Sequence, residues 1–122
     1  MFRKLSITLL IALLLPVGSL AGNSARNFGG VGIDGLPRAD GQIVVKQLVT
    51  GGPAHLAGIK IGDVITHIDG KPTQGSDFRH MVEYRLRGRS GTKVQLNILR
   101  PGEKKPLRFI LKRKQLVVEN RG

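Results

Sequence analysis

Apolar and polar residues alternate in short runs, and glycine or proline interrupts each run before it lengthens. Alternation is clearest near the C-terminal end, with Ile110 an apolar residue at a polar position. Val94, Leu96 and Ile98 alternate with Lys93, Gln95 and Asn97, and Leu107, Phe109 and Leu111 alternate with Arg108, Ile110 and Lys112. Both segments read as half-buried strands, Lys93 to Arg100 and Leu107 to Lys112, joined by a turn at Pro101-Gly102-Glu103. Further upstream, Val31 to Leu36 and Gln42 to Val49 predict two strands around an Asp40-Gly41 turn, close enough in sequence to form a hairpin, with Pro37 ending the first. Val64 to Ile68 is an apolar strand between the Gly62-Asp63 and Asp69-Gly70 turns.

Helical spacing appears twice. Pro53 to Ala57 predicts one or two turns, with Pro53 at the first helical position and Gly58 as the C′ residue. Phe78, Met81, Val82 and Leu86 fall at i, i+3, i+4 and i+8 and share an apolar face. Ser76 is the expected N-cap of this longer helix, Asp77 suits its positive end, and Gly88 stops it. Few turns of helix among many short strands make the fold class α+β, a small, partly open barrel or sandwich of about five to six strands capped by one short and one longer helix.

The first segment differs in kind. Arg3 and Lys4 precede an apolar run from Leu5 to Leu15, Pro16 and Gly18 end it, and Ser19-Leu20-Ala21 presents small residues. This is the layout of a secretory signal peptide over residues 1–21, with cleavage expected after Ala21. The apolar run is shorter than the roughly 18 to 20 residues that span a bilayer, so an uncleaved anchor is the second choice. A bacterial periplasm is the expected compartment, with secretion or N-terminal anchoring as alternatives. Residues 22–27 read as a flexible polar segment, 28–112 as one domain, and 113–122 as a basic and polar tail.

Composition narrows the chemistry. The 122 residues contain no cysteine, which excludes disulfides, thiolate metal sites and cysteine nucleophiles. Lys and Arg number 20 against 8 Asp and Glu, for a formal net charge of +12. Such a balance favours acidic partners without choosing among nucleic acid, anionic lipid and acidic peptide.

The ordered pieces resemble a PDZ domain, of the type found in bacterial carboxyl-terminal processing proteases. They are Phe28-Gly-Gly-Val-Gly-Ile33, Gly52-Pro53-Ala54, Ala57-Gly58-Ile59, Gly62-Asp63-Val64-Ile65, Ile68-Asp69-Gly70, Arg87-Gly88 with Gly91-Thr92, and Arg100-Pro101-Gly102. Order and spacing carry the resemblance, which covers residues 28 to about 112. It implies that Leu107 to Leu111 occupies the place an N-terminal strand takes in animal PDZ domains. Two departures stand out. One residue more than the pattern requires lies between Met81-Val82 and Arg87-Gly88, and the serine-lysine catalytic domain of those proteases has no counterpart in these residues.

The resemblance implies a function. An extended peptide would add as a strand to the segment from Ile33, with its terminal carboxylate in a nest of backbone amides. The carboxylate-binding loop is Gly29, Gly30, Val31, Gly32 and Ile33, with Val31, Gly32 and Ile33 supplying the amides. Ile33, Asp34, Met81, Val82 and Leu86 form the peptide groove, and Arg26 stands where it could add positive charge at its mouth. The partner is a protein C terminus with an apolar last residue, belonging to a cell-envelope protease or its substrate. An exported adaptor or regulator is the resulting expectation, with no enzymatic activity of its own. The main alternative is a module that contacts a folded protein or an anionic membrane and leaves the groove unused.

Other chemistry has little support in the residues. His55, His67 and His80 lie on three different elements without ligand spacing, so no metal or cofactor is expected. Asp63 and Asp69 sit beside glycines, where turn hydrogen bonds explain them. Ser76 and Ser90 have no assigned base. Arg85, Arg87 and Arg89, taken with Lys112-Arg113-Lys114, suggest nucleic acid on charge alone, but no aromatic stacking residues accompany them.

Overall fold

The computed structural model describes residues 28–116. The expected signal peptide over 1–21, the segment over 22–27 with Arg26, and tail residues 117–122 lie outside the described residues. The elements run β1 (Phe28–Gly29), β2 (Ile33–Pro37), β3 (Ile43–Leu48), α1 (Pro53–Ala57), β4 (Val64–Ile68), β5 (Lys71–Pro72), α2 (Phe78–Met81) with a π-helical continuation over Val82–Leu86, β6 (Gly88–Arg89), β7 (Lys93–Leu99) and β8 (Leu107–Lys112). One antiparallel sheet has the order β2-β3-β4-β7-β8, with β5 added to β4, and β1 pairs with β6 in a separate short ladder. Among the described residues the sheet does not close, and β2 and β8 are its two edges. This is the α+β class that the hydrophobic pattern predicts.

Alternation explains the core. Val94, Leu96 and Ile98 of β7 are buried, and Ile43, Val45, Ile65 and Ile68 meet them from β3 and β4. Met81 and Leu86 close the cluster from the helical side, with Phe78 and Val82 packed at its rim. Three local expectations change. Val31 and Gly32 precede β2 rather than begin it, because Gly32 turns the backbone at a φ of 78°. Pro37 belongs to β2, at a position whose missing N–H would face away from β3. The N-cap of α2 is Asp77, whose carboxylate accepts the His80 N–H at 2.9 Å, while the Ser76 hydroxyl donates to the Pro72 carbonyl.

The helix widens into a π turn over Val82–Leu86, within the stretch where one residue more than the pattern requires is expected. Arg87 N–H donates to the Val82 carbonyl at 3.0 Å, five residues back instead of four. The wider turn buries Leu86 and leaves Tyr84 on the solvent side, 74% exposed.

An ion pair between buried Asp63 and half-buried Arg100 fastens the turn before β4 to the end of β7. Arg100 Nε and Nη2 each donate to Asp63 at 2.8 Å, and Nη2 also reaches the Gly58 carbonyl at 3.0 Å. Burial pushes the Asp63 carboxyl up. The Arg100 side chain, the Lys60 N–H and the positive charges of Arg100 and Lys60 outweigh that and hold it below the ordinary carboxylate range. The sequence reading of Asp63 as a turn residue covers only its 2.8 Å bond from the Lys60 N–H.

Candidate functional site

The loop from Gly29 to Ile33 lies between β1 and β2, and its five residues have different duties. Gly29 pairs with Gly88 in the short ladder. Gly30 exchanges both of its backbone bonds with Lys114, at 2.9 and 3.1 Å, so its N–H is already engaged. The Val31 and Gly32 carbonyls accept from Ala54 and Val49, each at 2.9 Å. The N–H groups of Val31 and Gly32 point elsewhere and meet no acceptor among the described residues. Both residues are buried, and a buried donor without a partner carries a free-energy cost that a ligand or water would relieve.

Strand register extends this row of donors. The bonds Val49 N–H to Gly32 C=O and Arg38 N–H to Gln42 C=O make Ile33↔Leu48 and Pro37↔Ile43 non-hydrogen-bonded pairs. A bulge at Lys46 of β3 shifts the register between Asp34 and Gly35, and alternation along β2 makes Gly35↔Val45 a pair of the same kind. Ile33 and Gly35 therefore turn N–H and C=O toward the free edge, while Asp34, though exposed, directs its N–H into the ladder with β3. Val31, Gly32 and Ile33 thus present three successive donors at the head of an edge that is unpaired among the described residues.

The opposite wall is α2 and its π turn. A Cβ placed on Gly35 would lie 4.0 Å from Phe78 Cε1 and only 2.6 Å from Ile43 Cγ2, so the helix start stands over β2 where β2 has no side chain. Ile33, Phe78 and Val82 are half-buried at the rim, whereas Met81 and Leu86 are 3% and 4% exposed and belong to the core. Of the groove residues expected from sequence, Ile33 and Val82 retain surface for a ligand side chain. Arg26 lies outside the described residues.

Arg113 is a participant the sequence reading left in the polar tail. It is 8% exposed. Its Nε donates to the Leu86 carbonyl and its Nη2 to the Arg85 carbonyl, capping the end of the helix that walls the groove. Its Nη1 reaches Thr92 Oγ1 and the Lys93 carbonyl. The signal was available: Leu107, Phe109, Leu111 and Arg113 share one parity, so the alternation of β8 carries Arg113 to the buried face. Leu116 was missed as well; its Cδ1 would lie 3.6 Å from a Cβ on Gly30 and 3.7 Å from one on Gly32. With Arg113 committed inside, the basic cluster with Arg85, Arg87 and Arg89 loses its central member. His55 accepts the Gly51 N–H, His67 meets Thr66, and His80 stacks near Tyr84, so the histidines serve three separate places.

A family model described as PDZ domain matches residues 29–111. The carboxy-terminal processing protease CtpB of Bacillus subtilis (strain 168) is 37% identical over 93 residues, covering 76% of this chain and 19% of that protein. CtpA of the same organism is 36% identical over 78 residues, covering 64% of this chain and 16% of that protein. The chain therefore spans less than a fifth of the length of the curated relatives it matches. Among solved structures, the PDZ domain of a carboxy-terminal protease from Vibrio cholerae, in complex with a peptide, superposes with a TM-score of 0.66 at 26% identity, covering 75% of this chain and 98% of that one. The photosystem II D1 C-terminal processing protease gives a TM-score of 0.71 at 26% identity, over 84% of this chain and 27% of that one.

Proposed function

The chain belongs to the PDZ domain family, and we propose that it is a peptide-binding module that captures the free C terminus of a partner along the β2 edge. The observation that carries this reading is the set of unpaired donors at Val31, Gly32 and Ile33. A terminal carboxylate has the charge and lone pairs to accept them together. The preceding residues of the ligand then extend β2 as an antiparallel strand, exchanging bonds with Ile33 and Gly35. The last side chain lies between Ile33 and Val82 and is apolar. The Vibrio cholerae relative, a PDZ domain in complex with a peptide, supports peptide binding as the role of the fold.

The protein acts in this reading as an exported adaptor or regulator, presenting or masking C termini for a protease of the cell envelope. The matched family model is that of a PDZ domain, and in this reading the residues carry recognition rather than catalysis. The test is binding of the chain to C-terminal peptides with apolar last residues, free and amidated. Free peptides are expected to bind and amidated ones to lose most of their affinity; equal binding of both, or none, overturns the proposal.

A further inference from the structure

β8 is the second free edge of the sheet, on the side away from β2. Arg113 N–H donates to the Thr92 carbonyl at 2.7 Å, which makes Lys93↔Lys112 a non-hydrogen-bonded pair. By alternation Gln95↔Ile110 and Asn97↔Arg108 are of the same kind. The backbone groups of Arg108, Ile110 and Lys112 therefore face away from β7, and among the described residues no strand pairs with them. Only at Lys114 is this edge occupied, by Gly30.

A groove of about 620 Å³ lies between Pro53, Leu56 and Ala57 of α1 and the consecutive residues from Ile110 to Lys114, with Ser90 and Gly91 also lining it. Consecutive lining residues mark the edge of a strand, since a face would show every second one. Leu56 and Ile110 leave apolar surface uncovered, at 73% and 61% exposure. Arg108, Lys112 and Lys114 are exposed beside them, and no carboxylate lines the groove.

We propose that β8 and α1 form a second strand-addition site, which takes an extended peptide segment with an apolar residue flanked by carboxylates two positions away on either side. Antiparallel addition sets the apolar residue opposite Ile110, beside Leu56, and the two carboxylates opposite Arg108 and Lys112. A second copy of this chain is the poorer occupant. β8 pairing with itself about Ile110 places Arg108 of each copy opposite Lys112 of the other, and like charges directly opposite are destabilising.

The probe is the peptide acetyl-Thr-Glu-Thr-Val-Thr-Glu-Thr-amide, titrated into the isotopically labelled full chain and followed by amide NMR. Its blocked C terminus offers nothing to the Val31–Ile33 donors, so failure here leaves the proposed function standing. Saturable shifts at the Ile110 and Lys112 amides are expected, weakening with added salt and absent when both glutamates are replaced by lysine. Ile110→Pro removes an outward donor without losing a bond to β7, and is expected to weaken binding about ten-fold or more. Lys112→Glu, an exposed change that leaves the core intact, is expected to weaken it similarly and to admit the lysine peptide. No saturable shift, shifts confined to β2, equal response to the lysine peptide, or indifference to Lys112→Glu would each overturn the proposal.

Discussion

Arg113 Nε donates to the main-chain carbonyl of Leu86 at 3.0 Å, tying the exit of β8 to the last turn of the groove helix. The adjacent residue, Lys114, exchanges two backbone bonds with Gly30 in the loop on the other side of the groove. Two successive residues thus hold both walls of the proposed binding site. Their position in the chain couples the geometry of that site to the segment that follows β8.

Replacing this arginine should loosen the helix end. Arg113→Met removes a guanidinium that satisfies the Arg85, Leu86 and Lys93 carbonyls together, and a buried acceptor left without a partner costs about 1 to 3 kcal/mol. A loss of about 3 kcal/mol is expected in urea unfolding, with the m-value unchanged. Arg113→Lys should recover less than half of it, because an ammonium lacks the planar fork. Gly88→Ala should act in the same direction, since its Cβ would stand 2.7 Å from Arg113 Cζ. An Arg113→Met variant as stable as the parent would show that the carbonyls find water instead.

Acid should release the Asp63–Arg100 lock. The folded carboxyl lies below its ordinary value of 3.8, so its stabilisation is complete above that value and drains away as the pH falls through the lower folded one. Arg100→Leu leaves a carboxylate that is 1% exposed without its cation and should cost about 3 kcal/mol at neutral pH. The difference between parent and variant should shrink as the solution is acidified, because the variant's carboxyl protonates first. Unfolding curves at a series of pH values decide it, and a constant difference would mean that Arg100 contributes by packing alone.

A methyl group at Gly32 tests the donor row. Gly32 has a φ of 78°, and an added Cβ would meet Val49 Cβ at 3.2 Å. The left-handed backbone alone costs an L-residue about 1 to 2 kcal/mol, and relaxation of that strain turns the Val31 and Gly32 amides away from each other. Gly32→Ala is therefore expected to lower stability by about that amount and to weaken free-carboxylate peptides more than amidated ones. Equal weakening of both forms would place the loop outside the carboxylate site.

Much of this arrangement was legible in the residues. Pro53 and Gly58 mark both ends of α1, and the alternation in β7 and β8 assigns Val94, Leu96 and Leu111 to the core. What escaped depends on partners distant in sequence. The two-residue strands β1 and β6 exist because Gly29 meets Gly88, and no local pattern of so few residues predicts that. Ser76 and Asp77 are both good caps, and the choice is made by the Pro72 carbonyl, which engages the serine. The register between β2 and β3 depends on a bulge at Lys46 of β3, which leaves that residue without a partner on β2, and no local pattern announces it. The run of charge at Lys112, Arg113 and Lys114 masks the parity that carries Arg113 to the buried face of β8.

Shortening the helix by one residue tests the origin of the π turn. The turn closes through the bond from Arg87 N–H to Val82 C=O, and removing one residue between them converts this five-residue spacing to the four of an α-helix. Tyr84 is the residue to delete, because at 74% exposure it leaves no cavity in the core. Leu86 and the Arg113 cap lie beyond the deletion and keep their places, so the shortened chain should fold with a Tm no lower than the parent's. The rim of the groove changes, however, because the carbonyls from Val82 onward are drawn into regular α-helical bonds and the turn narrows beside Val82. Peptide selectivity at the last position is therefore expected to shift toward smaller side chains at unchanged stability. If the deletion instead unfolds the domain, the wide turn is an obligate part of the fold and not an accommodated insertion.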